Sequence, residues 1–156
     1  MAPQRKKVAM AGVAEGQELV GIQTGDDVSA EERVNAFFFG AMPADDEQGW
    51  GASLIHNDLR LVSASSNPGR TVFSYTVKPS HCNRLGNLHG GCAATLFDIC
   101  TTTALAPIAK EGFWAYAGVT RTLAVTYIRP VPAGDTVLIE SEIPGSGMTL
   151  KWIRVS

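Results

Sequence analysis

The residues of this sequence best suited to chemistry lie between Asn83 and Asp98, centred on His89-Gly90-Gly91. Asp98 is the only charged side chain between Arg84 and Lys110, in a stretch of apolar and small residues. A carboxylate in such surroundings is costly unless it is hydrogen-bonded or used chemically. Bonding to the hydroxyls of Thr101 or Thr102, or to a strand partner, is one reading; proton chemistry is the other, and Asp98 alone does not separate them. Gly90 and Gly91 open a predicted helix, where backbone N–H groups lack intrahelical partners and the dipole favours negative charge. Glycine lets a carbonyl oxygen approach such backbone closely, so the pair could hold a developing oxyanion. A tight loop-to-helix junction would account for the glycines equally well.

Spacing adds a constraint. Nine residues separate His89 from Asp98, about 13 Å along a straight helix. The two cannot both reach one reacting carbonyl from the same helix. If both act, two central helices must pair antiparallel about a two-fold axis, each site taking Gly90 from one subunit and Asp98 from the other. Other chemistries fit less well. Cys82 is close in sequence to His81 and His89, but nothing supplies a third, orienting group. Cys92 and Cys100 fall on the predicted helix and read as core residues. The cysteine spacings, ten and eight residues, match no structural zinc pattern, and no cofactor motif occurs. No Gly-x-Ser-x-Gly elbow is present, and His56, beside Asn57-Asp58, reads as a surface or turn residue.

The elements that must position these groups follow from periodicity and punctuation. Residues 1–28 have little periodicity and read as a flexible lead-in, with a single domain expected over 29–156. Ser29 and Glu32 form a capping box ahead of Val34, Phe37 and Phe38, which predicts a helix stopped by Gly40 and Pro43. A short turn or helix is expected over 45–54, with Trp50 and Leu54 over the core. Residues 57–64 and 72–77, joined by Asn67-Pro68-Gly69-Arg70, predict a hairpin with Phe73, Tyr75 and Val77 sharing one face. Residues 80–88 read as a loop. From Gly90 to about Ala106 the near-absence of charge predicts a long buried helix ended by Pro107, with Ala93, Ala94 and Ala104 allowing close approach to a sheet. Val119–Ile128 is the most strand-like run, followed by strands over Thr136–Ile143 and Met148–Val155. Hairpin, long helix and antiparallel meander give an α+β fold.

Bulk composition narrows the partners. The 156 residues fit one domain, and the net charge of −2 gives no reason to expect nucleic acid. Residues 78–130 carry Lys78, Arg84, Lys110, Arg121 and Arg129 against Asp98 and Glu111 alone, a local excess suited to an anionic small ligand or to a solvated face. No apolar run of membrane-spanning length is expected. The odd cysteine count and the lack of a secretory signal suggest a reducing, cytoplasmic compartment; the basic start MAPQRKKVAM is the one feature that would suit a mitochondrial presequence.

The run Asn83-Arg-Leu-Gly-Asn-Leu-His89-Gly90-Gly91-Cys-Ala-Ala-Thr-Leu-Phe-Asp98 closely resembles the signature of hotdog-fold acyl-CoA thioesterases, in the group of small phenylacetyl-CoA and medium-to-long-chain enzymes. The match continues in Gly118-Val119-Thr120 and Val125-Thr126-Tyr127-Ile128-Arg129-Pro130. The resemblance implies an antiparallel sheet wrapped around a long central helix, assembled as homodimers or homotetramers, that hydrolyses an acyl-coenzyme A thioester to free acid and coenzyme A. Gly90 would donate its N–H to the thioester oxygen, with Asn83 assisting and His89 polarising the carbonyl or holding the loop. Asp98 of the facing subunit would act as general base or attack directly. Thr120 takes the place where relatives carry a serine that orients water. Arg84, Arg121 and Arg129 are the candidates for the phosphates of coenzyme A. Relatives run on through one further strand beyond the position of Ser156, so a sheet lacking its last strand is expected. Within the same fold the alternatives are a hydrolase or dehydratase acting on a carrier-bound polyketide or fatty acyl thioester, and a non-catalytic acyl-binding protein.

Overall fold

The computed structural model describes residues 5–7, 18–22, 27–38, 51, 54–116, 118–143 and 153–154. In chain order these form β1 (Arg5–Lys7), β2 (Glu18–Val20), α1 (Ala30–Phe38), β3 (Leu59–Ser66), β4 (Gly69–Thr76), α2 (Gly90–Thr103), β5 (Thr136–Ile143) and β6 (Ile153–Arg154). Within the 1–28 lead-in, β1 and β2 pair antiparallel as a separate two-stranded sheet, and Ile22 reaches the main core. The main sheet is antiparallel in the order β3-β4-β5-β6, and α2 lies across it. This is the expected α+β hotdog arrangement, with the sheet left open.

Each element follows from local chemistry. At α1 the capping box closes in both directions: Ser29 N–H donates to Glu32 Oε2 at 2.8 Å and Glu32 N–H to Ser29 Oγ at 3.2 Å. Those bonds to Ser29, backbone first, hold the Glu32 carboxyl below its ordinary range. Val34 and Phe38 are buried, Phe38 tilted against Phe73 with ring centroids 5.1 Å apart. The expected stop at Gly40 and Pro43, and Trp50, lie outside the described residues; Leu54 is buried as expected and opens a single π-helical turn, Leu54–Asp58.

The hairpin turns at Asn67-Pro68 and keeps its alternation. Phe73, Tyr75 and Val77 are at most 1% exposed. Leu61 faces inward in phase with Leu59, Val62 is exposed, and a bulge between Leu61 and Ser63 then shifts the register.

Three expectations need correcting. First, α2 ends at Thr103, with Ala104 as its C-cap, and a 3-10 turn over Ala106–Ile108 follows. Only Ala93, Leu96, Cys100 and Thr103 of α2 are buried, one stripe facing the sheet. The helix is therefore half-covered, and Asp98 is only half-buried. Small, apolar and threonine residues spread around α2 had hidden which face meets the sheet. Second, the helical run Gly90–Ile108 spans 19 residues with mean hydropathy 1.3, so an apolar run of membrane-spanning length does exist. Its buried stripe is part of the hydrophobic core. Third, Val119–Ile128 forms no strand. Among the described residues nothing supplies its ladder, and side chains such as Val119 and Ile128 are 83% and 75% exposed. β-branched residues favour extended backbone, but without a neighbouring strand there are no ladder hydrogen bonds to fix one. Most of Met148–Val155 lies outside the described residues; Ile153–Arg154 pairs with Leu138 and Ile139 of β5.

Candidate active site

The loop before α2 is built to present its first turn. A 3-10 turn at Pro79–His81 leads into an antiparallel bridge between Cys82 and Leu88. Inside it Asn83 Oδ1 accepts from Leu85 N–H at 2.9 Å and from Asn87 N–H at 3.3 Å. That oxygen shapes its own loop, so anything Asn83 offers a ligand must come from its amide NH2 group. Leu88 N–H donates to Val131 O at 2.8 Å, and His89 N–H donates to His81 O at 2.9 Å. Both bonds hold the backbone on which His89 stands.

His89 is the N-cap of α2, and its Nδ1 accepts from Gly91 N–H at 3.0 Å. Of the two glycines, Gly91 has a steric reason, whereas a side chain on Gly90 would meet only an ordinary contact. A Cβ on Gly91 would come within 3.1 Å of His89 Nδ1, and one on Gly90 would rest 3.6 Å from the Tyr127 ring. Tyr127 was not singled out in the sequence, yet its hydroxyl donates to Gly90 O at 2.8 Å. In a regular strand Tyr127 and Thr120, seven positions apart, would face opposite ways. The irregular course of this segment turns both towards α2, which no strand periodicity could have revealed.

At the other end of the same segment the Thr120 hydroxyl donates to Asp98 Oδ1. Thr101 instead donates to the Asp98 backbone oxygen, at 3.1 Å, so the carboxylate's partner comes from the predicted 119–128 strand and not from the helix itself. Two residues before Thr120, Gly118 packs where a Cβ would overlap the Trp114 ring. Asp98 with Thr120 thus forms one group, and His89, Gly90 and Tyr127 another. Gly90 and Asp98 are eight residues apart on α2, about 12 Å. Within one protomer the two groups do not share a reacting atom.

Beneath the loop lies a second unforeseen cluster. Asp58, its side chain 3% exposed, pairs with Lys78, and His81 Nε2 is 3.9 Å from its Oδ2. Tyr75 Oη and His81 Nδ1 are hydrogen-bonded at 2.7 Å. Burial, then the neighbouring Cys92 and Asp58, pushes the Tyr75 phenol up; burial likewise raises the Cys92 and Cys100 thiols. Neutral thiols are poor nucleophiles. Cys82 donates to Lys78 O at 3.3 Å, while Tyr75 and Gly91 take the Nδ1 atoms of the two histidines nearest it in sequence. Arg84, Arg121 and Arg129 are all exposed, beside or near Asn83, Thr120 and Tyr127 in the chain. No metal-ligating cluster occurs among the described residues. A cavity of about 410 Å³ opens between the start of α1 and the 106–110 turn, lined by Ser29, Arg33, Ser66 and Lys110, at the far end of the helical run from His89.

This arrangement can be set beside known proteins. The thioesterase superfamily model matches residues 85–150. Acyl-coenzyme A thioesterase 13 of Homo sapiens is 33% identical over 97 residues, 62% of this chain and 65% of that protein. The Mus musculus protein of the same name is 32% identical over 105 residues, 67% of this chain and 71% of its own length. This chain thus spans about two thirds of the length of these relatives. Among solved structures, zebrafish thioesterase superfamily member 2 superposes with a TM-score of 0.59 at 28% identity, covering 78% of this chain and 80% of that one. Its Mus musculus counterpart gives 0.51 at 32% identity, covering 64% and 68%. Motif, fold and relatives agree: the chain belongs to the hotdog-fold thioesterase superfamily, related to acyl-coenzyme A thioesterase 13.

Proposed function

We propose that this protein hydrolyses an acyl-coenzyme A thioester, releasing the free acid and coenzyme A, at sites shared between two protomers. The observation that carries the reading is the Asp98–Thr120 pair. A half-buried carboxylate already holding a hydroxyl is equipped to take a proton from water while that hydroxyl orients it. In this reading Gly90 N–H, at the positive end of α2, takes the negative charge that develops on the thioester oxygen. His89 adds a donor beside it, and Asn83 helps through its NH2 group. The separation of Asp98 and Gly90 along α2 requires the mate of each to come from a second protomer, in a homodimer or a homotetramer built from such dimers. Arg84, Arg121 and Arg129 would meet the phosphates of coenzyme A, as the local excess of positive charge suits.

The test is release of free thiol from acyl-coenzyme A of several chain lengths by the wild type and by Asp98→Asn, with light scattering to establish the assembly. The wild type should release thiol, and Asp98→Asn should lose roughly 10²–10⁴-fold in kcat, the usual range for a general base. A folded wild-type dimer that releases no thiol, or an Asp98→Asn variant at full rate, overturns the reading.

A further inference from the structure

We propose that Tyr127 is a positioning residue that fixes His89 as its Nε2–H tautomer, acting through the single peptide plane between Gly90 and Gly91. Three observations meet there. The Tyr127 hydroxyl donates to Gly90 O at 2.8 Å. The N–H of the same peptide, on Gly91, donates to His89 Nδ1 at 3.0 Å. The Tyr127 ring lies 3.6–3.7 Å from where a Gly90 Cβ would be, so the residue that bonds the peptide also packs beside Gly90.

The chemistry follows from donor and acceptor rules. A backbone N–H can only donate, so Nδ1 of His89 must be bare, and a neutral imidazole then carries its proton on Nε2. Hydrogen bonds in series polarise one another: donation to a carbonyl makes the N–H of that peptide a better donor. Tyr127 therefore strengthens the bond that selects the tautomer without touching the imidazole. When the imidazole is neutral, Nε2–H is then its only ring donor, the form able to donate to a carbonyl oxygen. The opposite tautomer would present a lone pair and repel that oxygen. The catalytic part of this inference rests on the thioesterase reading; the tautomer part does not.

The experiment measures both. Protein labelled with ¹⁵N at histidine is studied by NMR at a pH where His89 is neutral, for wild type and Tyr127→Phe, with signals assigned through His89→Gln. Acyl-coenzyme A hydrolysis is followed in parallel. The wild type should show a protonated Nε2 and a bare Nδ1 at His89. Tyr127→Phe should shift these towards a tautomer mixture, and kcat should fall several-fold with KM changed less than two-fold. A purely structural role would lower the melting temperature without moving the tautomer signals. Gly91→Ala, which drives a methyl at His89 Nδ1, should disturb the same signals by a separate route. A wild-type His89 protonated at Nδ1, or tautomer signals unchanged in Tyr127→Phe, overturns the inference. Tautomer signals that move while the wild type hydrolyses nothing uphold it and sink the thioesterase reading alone.

Discussion

The carboxylate at position 98 and its threonine form a unit whose parts do different work. Thr120 brings one hydroxyl and an added methyl, and only the hydroxyl bonds Asp98. Thr120→Ser should therefore keep most of the hydrolytic rate, and Thr120→Ala should lose about ten-fold, less than the roughly 10²–10⁴-fold of the general base itself because Thr120 only orients. Steady-state kinetics of the two variants side by side checks this, and equal rates would remove Thr120 from the mechanism. Buried protonated groups carry a separate prediction. Tyr75, Cys92 and Cys100 have raised values, chiefly through burial. The folded chain then keeps protons that unfolded thiols release above about pH 8.5. The folded state binds more protons in that window, so stability must fall as pH rises through it. Urea midpoints between pH 7 and pH 10 should decline, and Cys92→Ala with Cys100→Ala should flatten the slope.

Among the elements, α1 and the 118–130 segment are each tied down by side-chain hydrogen bonds that single substitutions remove, which makes them the places to probe. The Ser29–Glu32 box satisfies two N–H groups at the start of α1. Ser29→Ala should cost about 1 kcal/mol, the typical loss for a serine N-cap. Because the Glu32 carboxyl is held below its ordinary value, its share is present above the unfolded value and disappears as pH falls through the folded one. The difference between wild type and Glu32→Gln in thermal melts should accordingly shrink in acid. In the first turn of α1, Arg33 donates to Ala109 O at 3.0 Å, tying this helix to the turn that follows α2. The 118–130 segment, without a ladder, is fixed to α2 by Thr120 and Tyr127. Gly118→Ala would force the Trp114 ring aside and loosen the Thr120 end first.

At the scale of the whole molecule, the proposed site exists only between protomers, and this has a quantitative signature. Asp98→Asn and His89→Ala homodimers should each be weak. Mixed and allowed to exchange, they form heterodimers in which one site collects both substitutions and the other collects neither. With random exchange at equal amounts, about half the dimers are mixed, so about a quarter of the wild-type rate should return. Activity that stays at the sum of the separate variants would show that each protomer works alone. The exposed apolar side chains of the 118–130 segment, among them Val119, Tyr127 and Ile128, lie next to the site halves and are suited to burial in such an assembly.

What the sequence determined by itself was whatever depends on residues near one another in the chain. The capping box, the Phe73-Tyr75-Val77 face, the loop at Asn83 and the start of α2 at Gly90 all rest on local hydrogen bonds or a simple period. The spacing of His89 and Asp98 was also legible, because helical rise is fixed, and with it the condition that a second protomer is needed if both act on one carbonyl. What only the tertiary structure decided depends on distant neighbours. Val119–Ile128 has strand-forming residues but no ladder, since a strand is stabilised by its partner rather than by itself. The apolar run at 90–108 did not say which stripe meets the sheet, because small, apolar and threonine residues are spread around it. Tyr127 reaches Gly90 across 37 positions, and Asp58 reaches Lys78 and His81 from a separate turn. No periodicity records such meetings, because they arise only when the chain has closed on itself.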